Sequence, residues 1–108
     1  MPASKDLFIK DLNWFASKYP GGLYQHYKGK ICVVIGGSID TEDGHSNVLY
    51  RELKGLINGV DMEKTIWSRP KGIFFENVPY TSTPRFKPVT PEEAGELLFI
   101  EFHKSQKS

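Results

Sequence analysis

Glycine and proline interrupt the chain so often between residues 20 and 90 that no long helix is expected there. The Pro20-Gly21-Gly22 run is a strong helix breaker, and Thr90-Pro91 is the next place where a helix can begin. The segments between these two points are short, apolar or alternating, and separated by turn residues. This pattern predicts a mainly β protein of the α+β class, a small antiparallel roll or barrel with a helix at each terminus. It argues against a doubly wound sheet, which needs helices between its strands.

The N-terminal segment is predicted to be a helix over about residues 5–18, with Ser4 as its N-cap. Its apolar residues repeat at helical spacing on one face. They are Phe8, Leu12, Phe15 and Tyr19. A stripe this aromatic is expected to pack on the rest of the domain, and the alternative is a free helix that binds a partner.

The middle of the chain is predicted to contain short strands joined by turns. The predicted strands are residues 23–27, 31–35, 47–53, 65–67, 73–78 and 85–89. A bulge or tight bend is expected at Gly36-Gly37, and residues 40–46 have the composition of a hairpin turn. Residues 54–64 contain two glycines and are predicted to form a long loop, and residues 79–84 an exposed loop.

The C-terminal segment opens with the clearest local signal, because Thr90, Pro91 and Glu93 occupy the N-cap, first-turn and capping-box positions of a helix. A helix is predicted from there, although residues 97–102 are rich in Phe and Ile and could instead extend as a strand. The polar residues 103–108 are predicted to be a disordered tail. The expected organisation is one domain, with a helix in 1–22, the β-roll in 23–89, and the helix and tail in 90–108.

Charge and cysteine content limit the partners and the compartment. The 108 residues include 14 basic and 13 acidic side chains, for a net charge of +1, so strong non-specific binding to nucleic acid is not expected. Cys32, the one cysteine, stands in an apolar run where a buried, inert thiol is expected, and it suits a reducing compartment. Without a signal peptide or a long apolar run, a cytoplasmic protein with no membrane partner is predicted.

Residues 65–75 carry the strongest candidate for recognition. Trp67 and Arg69 are two residues apart, so in a strand they point to the same face and could stack or contact one ligand. Both residue types are frequent in binding hot spots. The alternative is that Trp67 belongs to the core and Arg69 is fixed to Glu76 or Glu52. The predicted ligand-binding residues are Tyr24, His26, Tyr50, Arg51, Trp67 and Arg69.

Basic residues elsewhere could add a modest positive patch to this site. They are Lys28, Lys30, Arg51, Lys71 and Arg85. With Tyr24, Tyr27 and Phe74 among them, single-stranded nucleic acid could bind by stacking and phosphate contacts, although the low net charge weighs against it. The predicted partner of this binding module is therefore a peptide, a protein or single-stranded nucleic acid, and the protein is expected to be a monomer or a homodimer.

The residues indicate no metal, cofactor or catalytic set. His26, His45 and His103 do not share metal-ligand spacing with another His or Cys, and Gly36-Gly37-Ser38 lacks the lysine of a phosphate loop.

Two other functions remain open. One is a small enzyme, or an enzyme accessory domain, that uses His26 with Glu42 or Asp43 as acid–base groups. The other is a structural subunit whose helices dimerise.

Four short motifs follow one another in the chain: Tyr24-Gln25-His26-Tyr27-Lys28-Gly29-Lys30, Val48-Leu49-Tyr50-Arg51, Trp67-Ser68-Arg69-Pro70 followed by Phe74, and Pro84-Arg85-Phe86. In this order they resemble the Y-x-H-Y-K-G-K, V-V-Y-R, W-x-R-P-x-x-x-F and P-R-F segments of a bacterial family, the domain-of-unknown-function family 1653. The resemblance covers about residues 23–87 and implies a fold similar to SH3-type β-rolls. The family has no established activity, so the resemblance implies no reaction.

The chain departs from the pattern of this family in two places. Asp40 stands where the family tends to have His, and residues 54–64 are longer than the usual linker.

Overall fold

A single antiparallel sheet with two long helices on one face organises residues 4–106, the part of the chain that the computed structural model describes. The helices are α1 (Lys5–Lys18), α2 (Lys71–Phe74) and α3 (Pro91–Gln106). The strands are β1 (Leu23–His26), β2 (Ile31–Ile39), β3 (Ser46–Leu56), β4 (Gly59–Met62), β5 (Trp67–Pro70) and β6 (Phe86–Pro88).

The six strands are joined in the order β4-β3-β2-β1-β6, and β5 also pairs with β3. Strands β4 and β5 take the two ends of β3, at residues 53–56 and 47–50. The register of β2 against β3 shifts between Val34 and Gly36, which confirms the predicted bulge. The α+β class is confirmed. Among the described strands no pairing joins β6 to β4 or β5, so the sheet is open and a closed SH3-like barrel is not confirmed.

Both long helices begin at the caps that the sequence predicted. The Ser4 hydroxyl oxygen accepts the N–H of Leu7 at 3.3 Å. At α3, the N–H of Glu93 donates to the Thr90 hydroxyl at 3.0 Å, and the N–H of Thr90 donates to the Glu93 carboxylate at 3.3 Å. This reciprocal capping box starts a helix, so the alternative of a C-terminal strand is wrong.

The main core lies between the helices and one face of the sheet. Its buried residues are Phe8, Leu12, Phe15, Leu23, Ile31, Val33, Leu53, Ala94 and Leu98. The predicted stripe of α1 therefore packs on the domain and is not a free helix. The two helices approach closely at Gly95, where an added Cβ would lie 2.9 Å from the backbone of Ile9.

The predicted loop at residues 54–64 is wrong, because these residues form most of a hairpin. β3 runs on to Leu56, and β4 returns from Gly59, which has a φ of +128°. The Asp11 carboxylate of α1 accepts the N–H of Val60 at 2.8 Å and anchors β4 to the helix layer. The dipeptide Asn58-Gly59 is typical of hairpin turns and is the sequence signal for this one.

The strand predicted at residues 65–67 is misplaced, and the strand predicted at 73–78 is wrong because a helical turn takes its place. β5 begins at Trp67 and continues through Pro70, which lies opposite Asn47 at the edge of the sheet. One helical turn, α2, then replaces the second strand. It places Phe74, which is fully buried, against the sheet, and this burial outweighs the β propensity of the segment.

α3 continues to Gln106, through residues predicted to be a disordered tail. The Phe99 and Phe102 rings pack edge-on against Phe8 at 5.9 and 5.8 Å, and the His103 ring lies 4.3 Å from Phe99. These contacts hold the last turns of the helix; the end of the predicted tail, residues 107–108, lies outside the described residues. None of the helices described is long and apolar enough to cross a membrane.

Candidate ligand-binding pocket

The face of the sheet opposite the long helices is concave and carries a pocket. Because side chains alternate along a strand, each strand contributes every second residue to this face. Cys32 on β2 lies between Tyr24 of β1 and Glu52 of β3, and Tyr50 of β3 lies opposite Trp67 of β5.

The pocket has a volume of about 280 Å³. It is lined by His26, Lys28, Lys30, Cys32, Tyr50, Glu52, Trp67, Arg69 and Phe86. A second buried cluster underlies it, in which the rings of Phe74 and Phe86 stack at 4.1 Å with an interplanar angle of 8°. The pocket thus has a rigid aromatic floor and a polar rim.

Trp67 and Arg69 both line this pocket, as their spacing predicts. Trp67 is 46% exposed, so the alternative that it belongs to the core is wrong. The Arg69 guanidinium lies 5.5 Å from the centre of the Phe86 ring, and no described carboxylate lies within 4.0 Å of it. Glu76, the partner considered for Arg69, instead contacts Arg85 at 3.4 Å. The contact of Arg69 with Phe86 joins β5 to β6 through two side chains that line the pocket.

Two lysines and one carboxylate complete the polar rim. Lys28 and Lys30 come from the turn between β1 and β2, and the Lys28 ammonium lies 5.8 Å from the Tyr27 ring centre. No described carboxylate lies within 4.0 Å of either lysine ammonium. No described cation lies within 4.0 Å of the Glu52 carboxylate. The pocket therefore presents three cations and one anion that are not already neutralised by contact.

His26 is held neutral among these cations. Its Nδ1 accepts the N–H of Lys28 at 3.2 Å, which leaves the ring proton of the neutral form on Nε2. Burial lowers the pKa of His26 below its ordinary value of 6.5, and the positive charges of Arg69, Lys28 and Arg85 lower it further. An anion bound in the pocket would offset these charges and raise the pKa again.

The acid–base pair of the enzyme hypothesis is not formed. Glu42 and Asp43 lie in the turn between β2 and β3, outside the pocket that contains His26. Asp43 is hydrogen-bonded to His45 instead, and this bond raises the pKa of His45. Among the described residues, the hydrogen bond of the His26 ring is to the Lys28 backbone and not to a carboxylate.

Cys32 lies at the base of the pocket with an inert thiol. Burial, with a smaller contribution from the Glu52 carboxylate, raises the pKa of Cys32 to about 12. The thiol is therefore protonated at neutral pH and is not a nucleophile.

The one group of described residues that could hold a metal ion lies in the turn between β2 and β3. Ligand atoms of Asp40, Asp43 and His45 lie within 4.8 Å of one another. The same atoms also stabilise the turn. Asp40 Oδ1 accepts the N–H of Glu42 at 2.8 Å, and the two ring nitrogens of His45 contact Asp43 and Asn47.

Four of the six predicted ligand-binding residues line the pocket: His26, Tyr50, Trp67 and Arg69. Tyr24 packs beside it, with its ring 5.3 Å from Phe74. Arg51 lies opposite Val33, on the face that the helices cover.

Sequence reasoning did not assign Glu52, Cys32 or Phe86 to the site, and it treated Lys28 and Lys30 only as a neighbouring patch. Alternation along the predicted third strand would have found Glu52, because it shares a face with Tyr50.

These features define a class, a small α+β domain in which a curved antiparallel sheet holds a polar and aromatic pocket. The chain belongs to the DUF1653 family, described as a protein of unknown function, whose sequence model matches residues 22–88. The family resemblance is thus confirmed, and every residue that lines the pocket falls inside the matched region.

A crystal structure of a DUF1653 protein from Bordetella bronchiseptica is similar to this chain. The two are 26% identical, with 68% of this chain and 91% of that chain covered and a TM-score of 0.48. No curated protein matches the chain.

Proposed function

We propose that the protein is a non-enzymatic binding module and that its pocket holds an anionic ligand with a planar group. One observation carries this proposal: a half-exposed Trp67 lines the same pocket as three cations, Lys28, Lys30 and Arg69, that have no ion-pair partner among the described residues. Exposed aromatic and cationic groups that converge in one concave site are typical of ligand binding.

The size of the pocket limits what enters it. Its volume of about 280 Å³ is near the lower end of the roughly 300–1,000 Å³ found for small-molecule sites. One planar group fits, and the rest of a longer ligand would pass over the rim. A peptide, a protein segment or single-stranded nucleic acid can each supply such a group.

The curvature of the sheet supports the same proposal. Arg69 of β5 reaches Phe86 of β6 although these strands are not paired, and the concave face between them becomes a site. We keep the SH3-like roll as the description of this curled but open sheet, and a cytoplasmic location as a prediction.

Binding is favoured over catalysis by the composition of the pocket. Glu52 supplies its one lining carboxylate, Cys32 its one lining thiol, and the thiol is protonated. Among the described residues, the hydrogen bond of the His26 ring is to the Lys28 backbone, and none joins it to a side chain that could act as a nucleophile.

Nuclear magnetic resonance on ¹⁵N-labelled protein tests the proposal. Nucleoside monophosphates, single-stranded oligonucleotides and a mixed peptide library are added separately, and amide shifts are mapped on the sheet. Ligands that bind should shift the signals of His26, Trp67 and Arg69, and Arg69→Ala should reduce the affinity. Lys10→Ala, which removes an exposed cation from α1, should leave it unchanged. Shifts confined to the helix layer, or the absence of shifts with every ligand, would overturn the proposal.

A further inference from the structure

Glu52 sets a chemical requirement on the ligand of the proposed pocket. Glu52 of β3 is paired with Cys32 of the neighbouring strand β2 and is two residues from Tyr50, and it lines the pocket. An ionised carboxylate only accepts hydrogen bonds, and no described cation lies within 4.0 Å of this one. A ligand that fits must therefore bring N–H or O–H donors to Glu52 and negative charge to the cations.

This requirement distinguishes between the ligands considered above. The head group of a phosphorylated side chain and the C-terminal carboxylate of a peptide offer mainly acceptors, and Glu52 would repel them. A nucleotide carries donors on its base and negative charge on its phosphates, separated by the sugar. Its base is also planar, which matches the half-exposed indole of Trp67.

Among the bases, guanine satisfies a carboxylate best. Its N1–H and N2–H₂ groups lie side by side and can donate to both oxygens. Adenine and cytosine place one amino group next to a ring acceptor, and uracil places one N–H between two carbonyl groups, so each would bring an acceptor against the carboxylate. These donors are available in a single strand and are paired in a duplex.

We propose that the pocket binds one guanine nucleotide of single-stranded nucleic acid, an inference that rests on the proposed function. Glu52 accepts from the Watson–Crick edge of the base, Trp67 stacks on it, and Lys28, Lys30 and Arg69 contact the phosphates. The net charge of +1 gives no general attraction to a polyanion, so affinity depends on this one seated base.

Fluorescence anisotropy with labelled RNA heptamers tests the base. The heptamers are oligouridine with a central guanosine, inosine, adenosine or uridine, and matched DNA oligomers distinguish RNA from DNA as the source. The guanosine heptamer should bind tightest, by roughly 5- to 150-fold over the others. Inosine lacks the N2 amino group and tests the Glu52 contact with an unaltered protein.

Substitutions then assign each contact. Glu52→Gln should remove most of the preference for guanosine, whereas Glu42→Gln, in the exposed turn between β2 and β3, should preserve it. Trp67→Ala should weaken all heptamers by roughly 5- to 150-fold. Lys30→Ala should weaken all of them evenly and reduce the slope of log affinity against log salt by about 1. Melting curves check that each variant is folded.

The outcomes separate this inference from the proposed function. Equal affinity for guanosine and adenosine, or an unchanged preference in Glu52→Gln, overturns the guanine assignment while amide shifts in the pocket still support a binding module. Peptides that shift the pocket signals when no oligonucleotide does would overturn nucleotide binding alone. If neither class shifts those signals, both proposals fail.

Discussion

The two faces of the sheet are formed by the same strands but differ in burial and polarity. On β2, Ile31 and Val33 point to the helices and are buried in the main apolar core, whereas Cys32 between them points to the pocket. On the pocket face, a buried apolar cluster forms the floor, and the half-exposed Trp67, the cations and Glu52 line the pocket above it. Strand alternation thus separates stability from binding residue by residue, and substitutions on the two faces should have different effects.

The largest expected effect is on the helix-covered face. Phe8 is fully buried and contacts Phe99 and Phe102, so Phe8→Ala should lower the free energy of unfolding by about 3–5 kcal/mol in urea denaturation. Trp14→Ala, on the same helix but at a side chain that is 55% exposed, is the control. It should cost about 1 kcal/mol or less. Similar losses in the two variants would show that burial in the helix-covered core does not decide stability.

A substitution at Gly95 tests how closely α1 and α3 pack on the same face of the sheet. In an exposed helix, glycine to alanine is expected to stabilise by about 1 kcal/mol. Here an added Cβ would lie 2.8 Å from Ile9 Cγ1, so Gly95→Ala should instead destabilise by about 1–3 kcal/mol. Gly72→Ala is the matched control, because it lies in helix α2 with no atom within 4 Å of the added Cβ. Thermal unfolding should move in opposite directions for the two variants.

On the pocket face, the expected effect is electrostatic. Burial and then Arg69 lower the pKa of His26, so Arg69→Ala should raise that pKa toward 6.5. Protonation of His26 is easier in the unfolded chain, so its contribution to stability is present above pH 6.5 and is lost as pH falls through the lowered folded pKa. Titration of the His26 ring protons by NMR measures the shift, and Lys10→Ala should leave the titration unchanged. An unaltered titration in Arg69→Ala would show that the guanidinium does not act on His26.

The last prediction is that the Cys32 thiol of the folded protein does not react with an alkylating reagent. Because the pKa of Cys32 is raised to about 12, the native thiol should resist iodoacetamide at pH 8. The unfolded chain in urea should be alkylated readily. Mass spectrometry counts the modified fraction, and rapid labelling of the native protein would mean that the pocket floor opens to solvent.

Local chemistry made much of the fold predictable from the sequence. The caps at Ser4 and Thr90, the stripe of α1 and the apolar run of β2 depend on residues close in sequence, and all were identified. The hairpin with β4 is not predicted, because Gly55 and Gly59 are residues typical of a loop. Helix α2 was missed because its reason is distant: Phe74 turns inward to stack on Phe86.

The candidate site was predictable only in part, for the same reason. The pairing of Trp67 with Arg69 follows from spacing along one strand. Phe86 joins them only because the sheet curls and brings β6 toward β5, which no local pattern records. Arg51 was predicted to add positive charge to the site, although alternation along β3 places it on the face opposite Tyr50.

The packing of α1 against α3 also constrains how the chain acquires its structure during synthesis. Phe8 completes its contacts with Phe99 and Phe102, near the other end of the described residues. The strands can pair and α1 can pack on them as soon as residue 88 has left the ribosome, but the part of the core that α3 completes stays open until α3 follows. During that interval Phe8 and the core residues beside it lack the cover of Ala94 and Leu98, and a chaperone or an aggregating neighbour has access to them.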